Sequence, residues 1–382
     1  MNATRALLVI GTRPEAIKMA PVVQACRLHE SGVEPVVCFT GQHSEMLTQV
    51  ADYFGIESDV DLKLMRPNQT LAGLTARALE GLDEALVRFQ PDCVVAQGDT
   101  TSVMVASMAA FYRQLPFVHV EAGLRTGNIQ SPWPEEFNRR VVGLTTALHC
   151  APTKRAAQNL LAEGASPQLV KVVGNTVIDA LLWTVSRERR RDAEWREKYA
   201  ALGERRMVLI TGHRRENFGE KFEDICGAIK TLAQRFDDVA FVYPVHLNPN
   251  ARAPVFRMLG DQRNVQLIDP APYPEFVWLM DRSHLVLTDS GGVQEEAPSL
   301  KKPVLVMRDS TERQEAVDAG AARLVGTSQS AIVNAAHELL TDEHAYARCQ
   351  AEANPYGDGW SAARIASLIS DRAWLVGLSG GL

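Results

Sequence analysis

Almost the whole chain alternates short runs of Val, Ile and Leu with longer segments of helical periodicity. Such runs lack a polar residue at every second position, so they do not suit a sheet with one face in water. They call for parallel strands covered by helices on both faces. The strands expected on this basis are 6–10, 35–40, 93–97, 117–120, 148–151 and 170–173, then 207–211, 240–245, 265–268, 285–288, 304–307 and 322–325. Helical patterns between them include 71–89, 101–112, 222–236 and 276–281.

The two series follow one design. "ALLVIGTRPEAIKMAPVV" opens the first and "MVLITGHRRENFGEKFEDICGAI" the second, each a strand, a glycine, basic residues and a helix. At 382 residues the chain exceeds one ordinary core, so two domains are expected. The reading is an α/β protein with two Rossmann-like, doubly wound domains facing across a cleft. They span 1–175 and 176–360, with a C-terminal helix, 361–382, returning to the first. The junction falls near Gly174-Asn175-Thr176, and the Arg- and Glu-dense stretch 186–206 reads as a solvated helix with a connector.

Polar residues gather where those strands end, the edge at which doubly wound sheets hold ligands. In the first half they are Arg13 and Lys18, Gln42 and His43, Asp99-Thr100-Thr101, Glu121, and Glu135 and Glu136 in "SPWPEEFNRR". In the second they are His213, His246, "TDSGGVQEE" and "RDSTERQE". Asp99 before two threonines also reads as a helix N-cap. The turn Asp289-Ser290-Gly291-Gly292 opens a helix with exposed N–H groups and little side-chain bulk, which suits a phosphate. Glu296 lies about one turn further, where a carboxylate can accept from vicinal ribose hydroxyls. A diphosphate shared between that turn and Arg13 with Lys18 fits the pattern. The grouped carboxylates Asp99, Glu121 and Glu135 suit general acid and base work, and His213 suits stabilisation of a departing diphosphate.

Several classes are disfavoured. A net charge of −6 argues against a nucleic-acid partner. No HExxH, CxxC or Asp-rich pattern points to a metal, and the three spaced glycines of a nicotinamide site are missing. No cofactor is expected. Six scattered cysteines read as reduced and buried. The first residues lead into an apolar strand without a signal-peptide core, and no apolar run is long enough to span a membrane, so a cytoplasmic location is expected.

In order, "GTRPEAIKMAP", "GDTTS", "HVEAGLRTGN", "SPWPEEFNRR", "GNTVIDAL", "TGHRREN", "YPVHLNPN", "DSGGVQEEAPSLKKPVLVMRDSTERQEAV" and "NPYGDG" resemble the motifs of the bacterial non-hydrolysing UDP-N-acetylglucosamine 2-epimerases. The resemblance implies a GT-B-type fold, a homodimer, and interconversion of UDP-GlcNAc and UDP-ManNAc without nicotinamide or metal, supplying surface polysaccharides. By motif it implies contact with substrate or a catalytic part for Arg13, Lys18, Asp99, Glu121 and His213, with Glu135 a further acid–base group. It implies a nucleotide site of Ala271, Phe276, Ser290, Gly291, Gly292, Glu296 and Arg313, with Phe276 beside uracil. Some members are activated at a second site in the loops that here hold Gln42, His43 and His246; Asn68 stands where some of them place an arginine.

The implied chemistry is elimination of UDP across C1–C2 of the sugar to a 2-acetamidoglucal, then re-addition. The sequence leaves open which carboxylate removes the proton. It also leaves a GT-B glycosyltransferase, a hydrolysing epimerase and a non-catalytic UDP-sugar sensor as alternatives.

Overall fold

A computed structural model describes residues 3–41, 44–66, 68–212, 214–350, 352–372 and 374. Seven strands form the first sheet: β1 Thr4–Ile10, β2 Val33–Phe39, β3 Val60–Asp61, β4 Cys93–Gln97, β5 Phe117–Val120, β6 Leu148–Ala151 and β7 Val170–Val172. They are all parallel, in the order β3-β2-β1-β4-β5-β6-β7. Six more form the second: β8 Arg206–Thr211, β9 Val239–Pro244, β10 Val265–Ile268, β11 Leu285–Thr288, β12 Val304–Val306 and β13 Ala322–Leu324. These too are parallel, in the order β10-β9-β8-β11-β12-β13.

Burial follows the apolar pattern. The central strands β4, β5, β6, β11 and β12 are buried throughout, whereas the edge strands β3, β7 and β10 are not. Strand β3, a single Val-Asp pair, had no apolar run to announce it and is an addition to the expected set. In both sheets the strand order reverses beside the first strand, between β1 and β4 and between β8 and β11. At such a point successive crossovers leave on opposite faces, so the loops diverge and open a crevice at the strand C-termini.

Two compact units result. One runs to Ala180 and includes the segment from Tyr356 onward; the other is Leu181–Pro355. The division falls inside the helix Thr176–Arg189, past Gly174-Asn175-Thr176. In the first unit the helix Ser361–Asp371 packs on the helix Arg13–Arg27. Its start is held by Asp179, which accepts from the Ala362 N–H at 2.8 Å. Among the described residues no helix is long and apolar enough to cross a membrane. All six cysteines are free, and burial pushes the thiols of Cys26, Cys38, Cys93, Cys150 and Cys226 up to about 12.

The charged stretch 186–206 is more than a solvated connector. Trp195 and Tyr199 lie one helical turn apart, on and just after the helix Asp192–Lys198, and both stack on Trp278, with ring centroids 6.1 and 5.5 Å away. The Trp278 indole N–H donates to Asp192 at 2.9 Å, and the Tyr199 hydroxyl donates to Glu275 at 2.5 Å. This aromatic layer fixes the helix Tyr273–Arg282, which carries Phe276. Trp278 is only 4% exposed, so Trp278→Ala should cost about 3–5 kcal/mol of stability, the usual range for a buried tryptophan. Urea denaturation of the second unit's transition checks this; a loss below about 1 kcal/mol would mean the layer packs without bearing on stability.

Candidate active site

In the first unit, β1 ends at Ile10 and Gly11 turns the chain into the helix Arg13–Arg27. A Cβ on Gly11 would lie 2.7 Å from Ser102 Oγ and 2.8 Å from Thr40 Oγ1, so the turn is pressed against the first turn of the helix Thr101–Tyr112 and the residue that follows β2. Thr12 and Glu15 form a reciprocal capping box at the helix start. The Glu15 carboxylate accepts from Gly11 N at 2.5 Å and Thr12 N at 3.1 Å, which fixes Arg13 at the helix start.

Across the strand reversal, Thr100 and not Asp99 caps the helix Thr101–Tyr112. That leaves the Asp99 side chain for other work. Arg139 donates to Asp99 Oδ2 from Nε at 2.9 Å and from Nη2 at 2.7 Å, and Asn138 donates to the Asp99 carbonyl at 2.8 Å. Both come from the helix Glu135–Thr145, whose first residue is the half-buried Glu135. Its neighbour Glu136 is fully buried and structural: it accepts from Thr126 N at 3.1 Å, Gly127 N at 3.3 Å and Arg139 Nη1 at 3.0 Å. Burial lowers His119 to about 4, so its neutral ring donates from Nε2 to the Gly98 carbonyl at 2.7 Å and fastens the loop before Asp99.

Glu121 follows β5 with φ at 64°, a left-handed conformation rare outside glycine. Lys18 Nζ lies 2.7 and 2.8 Å from its two carboxylate oxygens. Asn175 donates to Oε1 at 3.1 Å, and Gln97 donates to Oε2. Lys18, read from sequence as a phosphate cation, therefore rests on Glu121 in this fold. At Gly123, with φ at 94°, an added Cβ would lie 2.2 Å from the Ala156 carbonyl oxygen, so only glycine completes the turn. Arg13, Lys18, Asp99 and Glu121 thus all stand at the C-terminal ends of β1, β4 and β5.

In the second unit the equivalent loops follow β8 and β11. Asp289, fully buried, accepts from Arg214 N at 2.8 Å and Asn217 Nδ2 at 3.3 Å, tying the two loops together. Ser290 is the N-cap of the short helix Gly291–Glu296. Gly291 lies against Arg313: an added Cβ would be 3.1 Å from the guanidinium carbon. Arg313 donates to Glu295 at 2.9 Å and Glu312 at 2.8 Å. Desolvation of Glu312 is outweighed by Arg313 and Arg308, which hold its carboxyl at about 2. Glu296 is buried and accepts from the Tyr273 hydroxyl at 3.0 Å; its other oxygen is 4.0 Å from where a Gly292 Cβ would sit. Phe276 is half-buried on the helix Tyr273–Arg282, just beyond the half-buried Ala271. His246 accepts from Asn248 N at 3.1 Å. His213, Gln42 and His43 lie outside the described residues. Among the described residues no group of three His, Cys, Asp or Glu side chains is arranged to hold a metal.

Comparison with known proteins bears directly on this arrangement. The family model described as UDP-N-acetylglucosamine 2-epimerase matches residues 25–370. The chain belongs to that family. It is 51% identical over 371 residues to the UDP-N-acetylglucosamine 2-epimerase of Escherichia coli K12, covering 96% of this chain and 98% of the other. A probable UDP-N-acetylglucosamine 2-epimerase of Ralstonia solanacearum is 53% identical over 370 residues, covering 96% and 98%. The crystal structure of the Neisseria meningitidis UDP-GlcNAc 2-epimerase, bound to UDP-GlcNAc, superposes with a TM-score of 0.89 at 44% identity, covering 96% of this chain and all of that one. The fold is accordingly of the GT-B type, with two doubly wound parallel sheets.

Gln97, Asn175 and Tyr273 support the expected residues but carry no site signal in the sequence, save that Gln97 is a polar residue closing the apolar strand Cys93–Gln97. Glu15 was likewise passed over. Burial pushes its carboxyl up to about 7, opposed by hydrogen bonds from Thr100, Gly11 and Thr12 and assisted by the charge of Asp99. The folded state then keeps a proton that the unfolded chain releases near the ordinary 4.5. Stability from this group is full below that value and falls as pH rises towards 7, by roughly 3 kcal/mol in all. Glu15→Gln cannot ionise, so urea denaturation across pH 4.5–8 should show the decline shrinking by about that much. Parallel curves for the two proteins would overturn this reading of Glu15.

Proposed function

We propose that this protein interconverts UDP-GlcNAc and UDP-ManNAc by inverting C2 of the sugar, acting as a non-hydrolysing 2-epimerase. The observation that carries the reading is the gathering of Arg13, Lys18, Asp99 and Glu121 at one strand reversal, in a chain of this family. The hydrogen at C2 has no neighbouring carbonyl, so its removal needs a leaving group at C1. A carboxylate takes the C2 proton, that electron pair forms the C1–C2 double bond, and the C1–O bond breaks to release UDP. The resulting 2-acetamidoglucal then takes UDP back at C1 and a proton on the opposite face of C2.

Asp99, Glu121 and Glu135 are the proton-handling groups, and Arg13 and Lys18 meet negative charge on the first unit. His213 stabilises the departing diphosphate. UDP belongs to the second unit: Ser290, Gly291, Gly292 and Arg313 at the diphosphate, Glu296 at the ribose, and Phe276 with the backbone of Ala271 at uracil. The enzyme works without a cofactor, in the cytoplasm, and its product supplies ManNAc units for surface polysaccharide. It acts as a homodimer.

UDP-ManNAc formed from UDP-GlcNAc in D2O should carry deuterium at C2, read by NMR. Product that keeps the original hydrogen would refute elimination and point to internal hydride transfer. Free ManNAc as the main product would mark a hydrolysing enzyme instead.

The nucleotide assignment has its own test. A charged acceptor contributes about 1.5–3 kcal/mol through its hydrogen bonds, so Glu296→Ala should weaken UDP binding by roughly 10- to 150-fold. Omitting the ribose 2′-hydroxyl should cost wild type a similar amount, and the two losses should not add. Calorimetry with UDP and 2′-deoxy-UDP on both proteins closes the cycle. Full additivity would reduce Glu296 to a partner of Tyr273 with no part in ribose recognition.

A further inference from the structure

The donors around Glu121 assign work to two residues that no motif reading gave. Gln97 closes β4, is 3% exposed, and pairs in register with Val120, the residue before Glu121. Its amide N–H donates to Glu121 Oε2. Asn175 is 2% exposed, and its side-chain oxygen accepts from Val177 N at 3.1 Å. That bond fixes the amide orientation, so the Nδ2 group necessarily faces Glu121, 3.1 Å from Oε1. The backbone N–H of Asn175 donates to Tyr356 at 2.6 Å, anchoring the residue from a third side. Lys18 spans both oxygens from above. Each of these contacts is a donor to Glu121, an arrangement that suits a carboxylate and opposes a protonated acid.

We propose that Gln97 and Asn175 are positioning residues, which with Lys18 hold Glu121 as an aimed carboxylate for proton handling at the sugar. The proposal rests on the epimerase reading above. A φ of 64° leaves the Glu121 backbone strained, and strain at a buried charged residue persists where surrounding contacts over-determine it. Gln97 and Asn175 supply those contacts from β4 and from the start of the helix Thr176–Arg189.

Gln97→Met keeps the side-chain length and removes the donor. Gln97→Glu and Asn175→Asp replace a donor by a like charge, and Asn175→Asp keeps the acceptor for Val177 N. In protein labelled with 13C at glutamate carboxyls, the resonance absent from Glu121→Gln reports Glu121. Its titration midpoint should rise by about one unit in Gln97→Met and further in the two acidic variants. The acid limb of the kcat profile should move the same way, with kcat down about 10-fold or more and KM little changed. A merely structural role would lower stability and leave the midpoint where it was. An unmoved Glu121 titration in variants that fold like wild type overturns the roles of Gln97 and Asn175. The titration needs no substrate, so it is separate from the epimerase reading, which fails if wild type leaves UDP-GlcNAc unchanged.

Discussion

The reversal of strand order is the constraint on which both units depend. A right-handed crossover sends the helix after β1 to one face of its sheet and the helix after β4 to the other. The loops between them diverge, and what lies there must satisfy the backbone groups that the sheet has released. In the first unit Glu15 does so for Gly11 and Thr12, and His119 for Gly98. In the second, Asp289 does so for Arg214, and the Thr211 and Thr288 hydroxyls meet at 2.5 Å across the ends of β8 and β11. One geometric problem is solved twice with different side chains.

Charge at the first of these points is arranged in pairs. Asp99 rests on Arg139 and Glu121 on Lys18, so neither carboxylate is left bare by folding. Lys18 and Glu121 have side chains only 16% and 5% exposed. A pair so buried costs several kcal/mol of lost hydration per ion, and its attraction does little more than offset that. It is poor evidence for stability and better evidence for a site. Under the proposed function, a substrate bearing negative charge would meet Lys18 with its position already set by Glu121, which lowers the entropy lost on binding.

The strand series was legible, β3 excepted, because its central members are contiguous apolar runs that needed no long-range information. Helix starts were less so. Thr100 caps where Asp99 also had the right chemistry, and the helix expected from Phe276 begins at Tyr273, where Pro272 and Pro274 permit an earlier turn. Site residues that sit in strand-end motifs, such as Arg13, Asp99 and Glu121, were visible as clusters of polar residues. The residues that hold them were not. Trp278 meets Trp195 and Tyr199 across some eighty positions of sequence, and Asn175 meets Glu121 across 54. Partnerships of that length are set by sheet order, which a single sequence does not spell out.

Glu121 shows why such support exists. A glycine would suit its backbone better, since the left-handed region costs a branched-off side chain about 1–2 kcal/mol. Gly98 and Gly123, at φ 91° and 94°, take the neighbouring left-handed positions without that cost. A glycine there would take away the carboxylate that faces Lys18, so with Glu121 in place the strain and the buried charge must be offset locally. Hydrogen bonds to a charged group contribute about 1.5–3 kcal/mol each, and Lys18, Asn175 and Gln97 each supply at least one. Remove one and the remaining balance shifts towards a neutral, loosely held acid. The amides are therefore as much a condition of the site as the carboxylate they surround.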